Sequence, residues 1–197
     1  MTTKSYLLKI TLDGIDPAIW RRVVLPADIS LDRLHDVIQI IMGWQDYHPH
    51  EFILDGKRFT KDPESPEDGE HEERFRLFEF VKRIGKTFKY HYDFGDSWMH
   101  QVVVEETNHT LPSHDAPIAC LEGKRACPPE DVGGVPGYEE FCKAISDKEN
   151  PSHDEYMDWY AGFEWYEKTF DSEKIDLKKI NLELSKYFRW SRPRFIP

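Results

Sequence analysis

Hydrophobic and polar positions alternate with period two at the start of the chain. Tyr6, Leu8, Ile10 and Leu12 fall on one side and Lys9 and Thr11 on the other, which predicts a strand over 6–12. Asp13-Gly14 and Asp16-Pro17 bound a turn. The β-branched and aromatic run at 18–25 predicts the returning strand of a hairpin, ended by Pro26. From Ser30 the period changes to three and four: Leu31, Leu34, Ile38, Ile41 and Met42, widened by Val37 and Ile40. This predicts a helix of about three to four turns. Ser30 is the expected N-cap, Asp32 complements the helix dipole, and Gly43 stops the helix. His50–Leu54 followed by Asp55-Gly56 restores strand and turn. Hairpin, helix, strand is a β-grasp-like order, and it predicts an α+β fold with a helix on one face of a mixed or antiparallel sheet.

Residues 62–73 carry seven acidic groups and two prolines, the pattern of a solvated, mobile surface loop. Alternation returns with Phe88, Tyr90 and Tyr92 on one face, then Trp98, His100, Val102 and Val104. The turn between them, Phe94-Gly95-Asp96, makes this the clearest hairpin of the sequence. Residues 107–137 are rich in Pro and Gly and predict a long ordered loop. Tyr138, Phe141, Cys142 and Ile145 begin a mainly helical stretch over 138–188. In it Ser152 and Glu155 have capping-box spacing, Gly162 is a stop, and Leu177, Ile180 and Leu184 mark a last helix. At 197 residues the chain is expected to form a single domain, 1–197.

Composition narrows the function classes. Aromatic residues make up 14% of the chain, far above a disordered sequence, and no apolar run is long enough for a membrane span. The net charge of −11 weighs against broad affinity for nucleic acid, which needs a basic face. Three cysteines at irregular spacing, and an N-terminus without a signal-peptide pattern, point to a reducing, cytoplasmic setting.

Four constellations carry candidate chemistry. Asp93, Asp96 and His100 flank one hairpin turn and offer acid-base or metal-binding groups, against the simpler reading of turn carboxylates and a satisfied core histidine. Cys120 and Cys127, with nitrogen from His100, His109, His114 or His153, would suit a structural zinc ion, although their spacing is wider than usual. Glu130 and Asp131 precede Gly133-Gly134 and a helix whose amides could hold an anion; no phosphate-binding Lys-Ser/Thr follows. The tail from Lys186 to Phe195 interleaves four cations with four aromatics and would suit stacking on single strands, or packing back on the domain. No catalytic triad signature is present.

The strings YHYDFGDSWMHQVVVE, CLEGKRACPPEDVGGVPGYEEF and NPSHDEYMDWYAGF, with the opening YLLKITLDGIDPAIWRRVVLP and GWQDYHPHEF, resemble the plasmid pRiA4b ORF-3-like family over nearly the whole chain. The resemblance implies an α+β fold and an association with plasmids and insertion elements. It transfers no catalytic residue, and the resolvase label that some members carry fits neither the charge nor the residues present. The expected function is a non-catalytic binding module with a protein or peptide partner. The alternatives are a metal-dependent or acid-base hydrolase built from segments 93–100 and 127–137, and a nucleic-acid-associated protein acting through the tail.

Overall fold

The computed structural model describes residues 4–112 and 117–191, with side chains as far as Tyr187. Its strands are β1 Ser5–Leu12, β2 Trp20–Pro26, β3 His50–Leu54, β4 Lys57–Thr60, β5 Glu70–His71, β6 Thr87–Tyr92, β7 Trp98–Glu106 and β8 Ala119–Lys124. The helices are α1 Leu31–Met42, α2 Leu77–Phe80, α3 Gly134–Ser146, α4 His153–Ala161 and α5 Leu177–Ser191. One sheet holds all eight strands in the order β5-β4-β3-β6-β7-β1-β2-β8. Every pairing is antiparallel except β4 with β5, so the α+β expectation and the mixed sheet both hold. Hairpin, helix and strand follow one another in the chain, but in the sheet β6 and β7 stand between β3 and β1.

Alternation decides which face is buried. Tyr6, Leu8 and Ile10 of β1, Tyr90 and Tyr92 of β6, and Trp98, His100 and Val102 of β7 are inaccessible to solvent. On the other face Arg22 lies between Glu105 and Glu122, and Lys9 sits over Trp20 at 5.1 Å. The helix α1 lays its apolar stripe on the buried face, together with three polar residues, Arg33, His35 and Gln39. Gly43 ends it in the left-handed region at φ 91°, as expected.

The caps are corrected. Ser30 occupies the N-cap position, but its hydroxyl makes no capping bond. Instead the Leu31 N–H donates to the Phe75 carbonyl at 3.1 Å, and Ser30 bridges to Arg76. Ser152 likewise precedes α4 without a side-chain cap. The acidic stretch 62–73 is not wholly solvated: it contains β5, and Glu72 is buried, paired with His50 Nε2 at 2.8 Å. The loop expected over 107–137 contains β8, and α3 begins within it at Gly134. His114 lies outside the described residues.

Among the described residues β8 has one strand neighbour, β2, and its outer edge is closed by a side chain. Asn181 of α5 accepts from the Cys120 N–H and donates to the Cys120 carbonyl, both at 2.8 Å, as a neighbouring strand would. No helix among the described residues is long and apolar enough to cross a membrane. Replacing Asn181→Ala leaves both Cys120 backbone groups without that partner. We expect a loss of about 1–3 kcal/mol, read as a lower urea midpoint at unchanged m-value.

Candidate functional site

The site is built where three loops meet. The first leaves the C-terminus of α1. Trp44 stacks on Tyr92 with ring centroids 4.9 Å apart, and its indole N–H donates to the Pro128 carbonyl at 3.0 Å. The second is the turn between β6 and β7. Asp93 has φ 54°, a left-handed conformation that Asp tolerates, and its Oδ1 accepts the N–H groups of Gly95 and Asp96. The third is the segment between β8 and α3, where Asp131 is also left-handed at φ 58°. Asp96 ties the second to the third: its Oδ2 accepts the Gly133 N–H at 3.0 Å. Gly134 is required there, because at φ +68° a Cβ would stand 2.6 Å from the Asp96 carbonyl oxygen.

Glu130 lies at the centre and is fully buried. Its carboxylate accepts the Gln45 N–H at 2.8 Å and the Tyr92 hydroxyl at 3.1 Å, and its own N–H donates to Tyr166 Oη at 2.9 Å. Burial pushes the Glu130 carboxyl up, against the pull of those two donors. Burial first, then the neighbouring Glu130 charge, raises the Tyr92 phenol well beyond its usual range.

Between these loops stands His48. Its Nε2 is 3.1 Å from Asp131 Oδ1, 3.7 Å from Asp93 Oδ2 and 4.0 Å from Glu130 Oε2. Buried and surrounded by acceptors, this nitrogen makes no hydrogen bond among the described residues: Asp93 and Glu130 are too far, and Asp131, though at 3.1 Å, is outside hydrogen-bond geometry. One donor atom from each of His48, Asp93 and Asp131 fits within 4.8 Å of the others. Ligand atoms around a cation at about 2.1 Å stand roughly 3–4.2 Å apart, and the His48–Asp131 and His48–Asp93 separations of 3.1 and 3.7 Å fall in that range.

A second cluster, His35, Asp46 and His50, has similar spacing. Here the hydrogen bonds settle a different role. The Gln39 amide oxygen accepts the Asp46 N–H at 3.0 Å, so its nitrogen must face Tyr90, to which it donates at 3.1 Å. Tyr90 Oη then donates to His35 Nδ1 at 2.8 Å, which puts the His35 proton on Nε2, bonded to Asp46 at 2.9 Å. His35 thus has no free lone pair, and its ring nitrogens are taken up in a hydrogen-bonded chain that runs from the buried Tyr90 out to the exposed Asp46.

The profile of the plasmid pRiA4b ORF-3-like family matches residues 4–179. The chain belongs to that family. It is 38% identical over 183 residues to the uncharacterised protein y4hQ of Sinorhizobium fredii, covering 92% of this chain and 91% of that one. It is also similar to the crystal structure of MM3350, a protein of unknown function from Methanosarcina mazei. That similarity has 33% identity and a TM-score of 0.78, over 90% of this chain and 98% of that one. The resemblance in the motif strings is therefore the family relationship it pointed to.

In this family member the expected site residues divide. Asp93, Glu130 and Asp131 converge, and Asp96 joins their loops. His48 is the residue that sequence reasoning missed. Its signal was the alternation of polar residues at Asp46, His48 and His50 beside Pro49. The expected zinc set does not assemble. Cys120 Sγ bonds the Glu122 carbonyl and Cys127 lies against Arg21 and Met42. His153 Nδ1 bonds the Ala144 carbonyl, and none of these joins a metal-sized cluster among the described residues. His109 pairs with Glu106 on the surface. Of the tail, Lys186 pairs with Glu183 and Tyr187 Oη bonds Asp36, so its first residues lean on the domain; 192–197 lie outside the described residues.

His100 is a core residue. Its Nδ1 faces the carbonyls of Trp98 at 3.0 Å and Tyr90 at 3.3 Å, so Nδ1 carries the proton and Nε2 is left without a partner. Burial pushes its pKa down to about 4. The unfolded chain, with an ordinary histidine, then binds more protons than the folded one between about pH 6.5 and pH 4. This histidine's contribution is complete above that window and falls as pH falls through it, by roughly 3 kcal/mol at most. We expect His100→Gln, which keeps an N–H donor but does not titrate, to flatten the stability profile across that window in urea unfolding at pH 7, 5.5 and 4.5.

Proposed function

We propose that the protein holds a divalent cation between His48, Asp93 and Asp131 and uses it to activate water, in the class of metal-assisted hydrolysis. The observation that carries this reading is the His48 Nε2: buried, without a hydrogen bond, and 3.1–4.0 Å from three carboxylates. Three carboxylates and one imidazole leave an excess of negative charge, which a dication offsets. Carboxylate oxygens with one imidazole nitrogen suit Mn²⁺ or Fe²⁺, and the imidazole also suits Zn²⁺. Asp131 is half exposed, so one side of the shell is open to water and substrate. Glu130, buried and with its carboxyl raised, is positioned as the acid-base partner of a bound water. Asp96 is a positioning residue, since its carboxylate is taken by Gly133.

A non-catalytic role for the same face draws on a different feature. Tyr47 and Phe94, chain neighbours of His48 and Asp93, are 61% and 47% exposed. Such rings suit contact with a protein or peptide partner, in a cytoplasmic and mobile-element setting.

The test is titration of chelator-treated protein with Mn²⁺ and Zn²⁺ by calorimetry, followed by assays on activated esters and phosphodiesters. Asp131→Asn, at an exposed position, is expected to weaken binding by at least ten-fold, and His48→Ala to abolish it, both in folded protein. Affinity indifferent to both changes would remove the centre. Cation binding without turnover would leave the binding-module reading.

A further inference from the structure

A cleft of about 540 Å³ lies at the C-terminus of α1, lined by Met42, Trp44, Cys127, Tyr166 and Ile180 together with Arg21. We infer that this cleft binds a small organic carboxylate with an apolar body, its anionic end meeting the Arg21 guanidinium. Arg21 is 2% exposed, and no carboxylate lies within ion-pair distance of it among the described residues. Its Nε donates to the Ile41 carbonyl, and Nη1 donates to the carbonyls of Trp20 and Lys124, each at 2.9 Å. Its Nη2 donates to Cys127 Sγ at 3.4 Å. A guanidinium has five N–H groups, and these bonds use four of them.

One N–H therefore has no partner among the described residues, and the charge beside the cleft is met by carbonyl and thiol dipoles alone, with no carboxylate. Burying an unpaired cation is costly, and a bound anion is what relieves that cost. Cys127 does not supply the anion. Its S–H points to Met42 Sδ at 3.0 Å, and burial holds the thiol above its usual range. Besides Arg21 the cleft is lined by four carboxylates, Glu167, Asp171, Asp176 and Glu183, and by Lys174 and Lys179. Lys174 pairs with Glu167 at 2.6 Å, and Asp176 Oδ1 accepts the Lys179 N–H at 3.0 Å. Asp171 Oδ1 is likewise occupied by the Glu173 N–H. The apolar walls Met42, Trp44, Tyr166 and Ile180 specify a ligand whose body is a ring or short chain. The proposal does not depend on the cation centre.

Trp44 and Trp165 line the cleft, so their fluorescence reports occupancy. Three probes of one shape separate charge from apolar contact: 4-phenylbutyrate, 4-phenylbutan-1-ol and 4-phenylbutylamine. We expect the carboxylate to bind at least ten-fold more tightly than the alcohol and the amine not to bind. Arg21→Met should abolish the preference for the carboxylate. Because Arg21 also ties down three carbonyls, Ile180→Trp supplies a variant that fills the cleft from a partly exposed position; it should abolish binding of every probe while the protein stays folded. Equal affinity for acid and alcohol, binding that survives Ile180→Trp, or no binding of the carboxylate would each overturn the inference.

Discussion

A carboxylate with no access to water must find donors inside the protein, and Glu130 finds them on two other segments. The Gln45 N–H comes from the loop after α1 and the Tyr92 hydroxyl from the end of β6. Hydrogen bonds to a charged group are worth about 1.5–3 kcal/mol each, and an unmet buried charge costs more than that. The segment after β8 therefore has one favourable position, under Trp44 and against Tyr92. That position carries Asp131 to within reach of His48, and the Asp96–Gly133 bond brings Asp93 from the remaining side. The convergence of four ionisable residues is thus a consequence of satisfying one of them.

Two histidine–carboxylate clusters stand a few residues apart, and their difference is instructive. Around His35 both ring nitrogens are engaged, in a chain running from Gln39 through Tyr90 to Asp46. Such a network orders the core and offers nothing to a ligand. Around His48 the acceptors outnumber the donors and none makes a hydrogen bond to Nε2 among the described residues. Proximity alone would rank the two equally as metal sites. The direction of the protons separates them.

Much of the fold was legible because burial on one face writes period two into a strand and three-to-four into a helix. β1, β6, β7 and α1 were read in this way, as was the left-handed stop at Gly43. β8 was hidden because only Cys120 of its six residues is buried, so face burial writes no alternation into it, and its edge is closed by Asn181 of α5, sixty-one positions away. Gly123, which reads as a breaker, is there because a Cβ would stand 2.6 Å from Ile175 and 2.9 Å from Arg21. Glu72 was concealed by its acidic neighbours: composition cannot show which of seven carboxylates turns inward to a histidine. At the site, the acidic members were visible as turn and loop residues. His48 was not, because its role depends on packing between segments distant in sequence.

The C-terminus of α1 places both the cation cluster and the Arg21 cleft. The Ile41 carbonyl, an acceptor left open at a helix end, fixes Arg21. A few residues later Trp44 and Gln45 fix the segment that carries Glu130. Tyr166 belongs to both, since its ring walls the cleft and its hydroxyl accepts the Glu130 N–H. Anything that displaces that ring also removes an acceptor from the backbone on which Glu130 and Asp131 are held. The two sites are therefore mechanically adjacent without sharing a ligand atom. The rigidity of one rests on the same helix end, and on the same tyrosine, as the rigidity of the other.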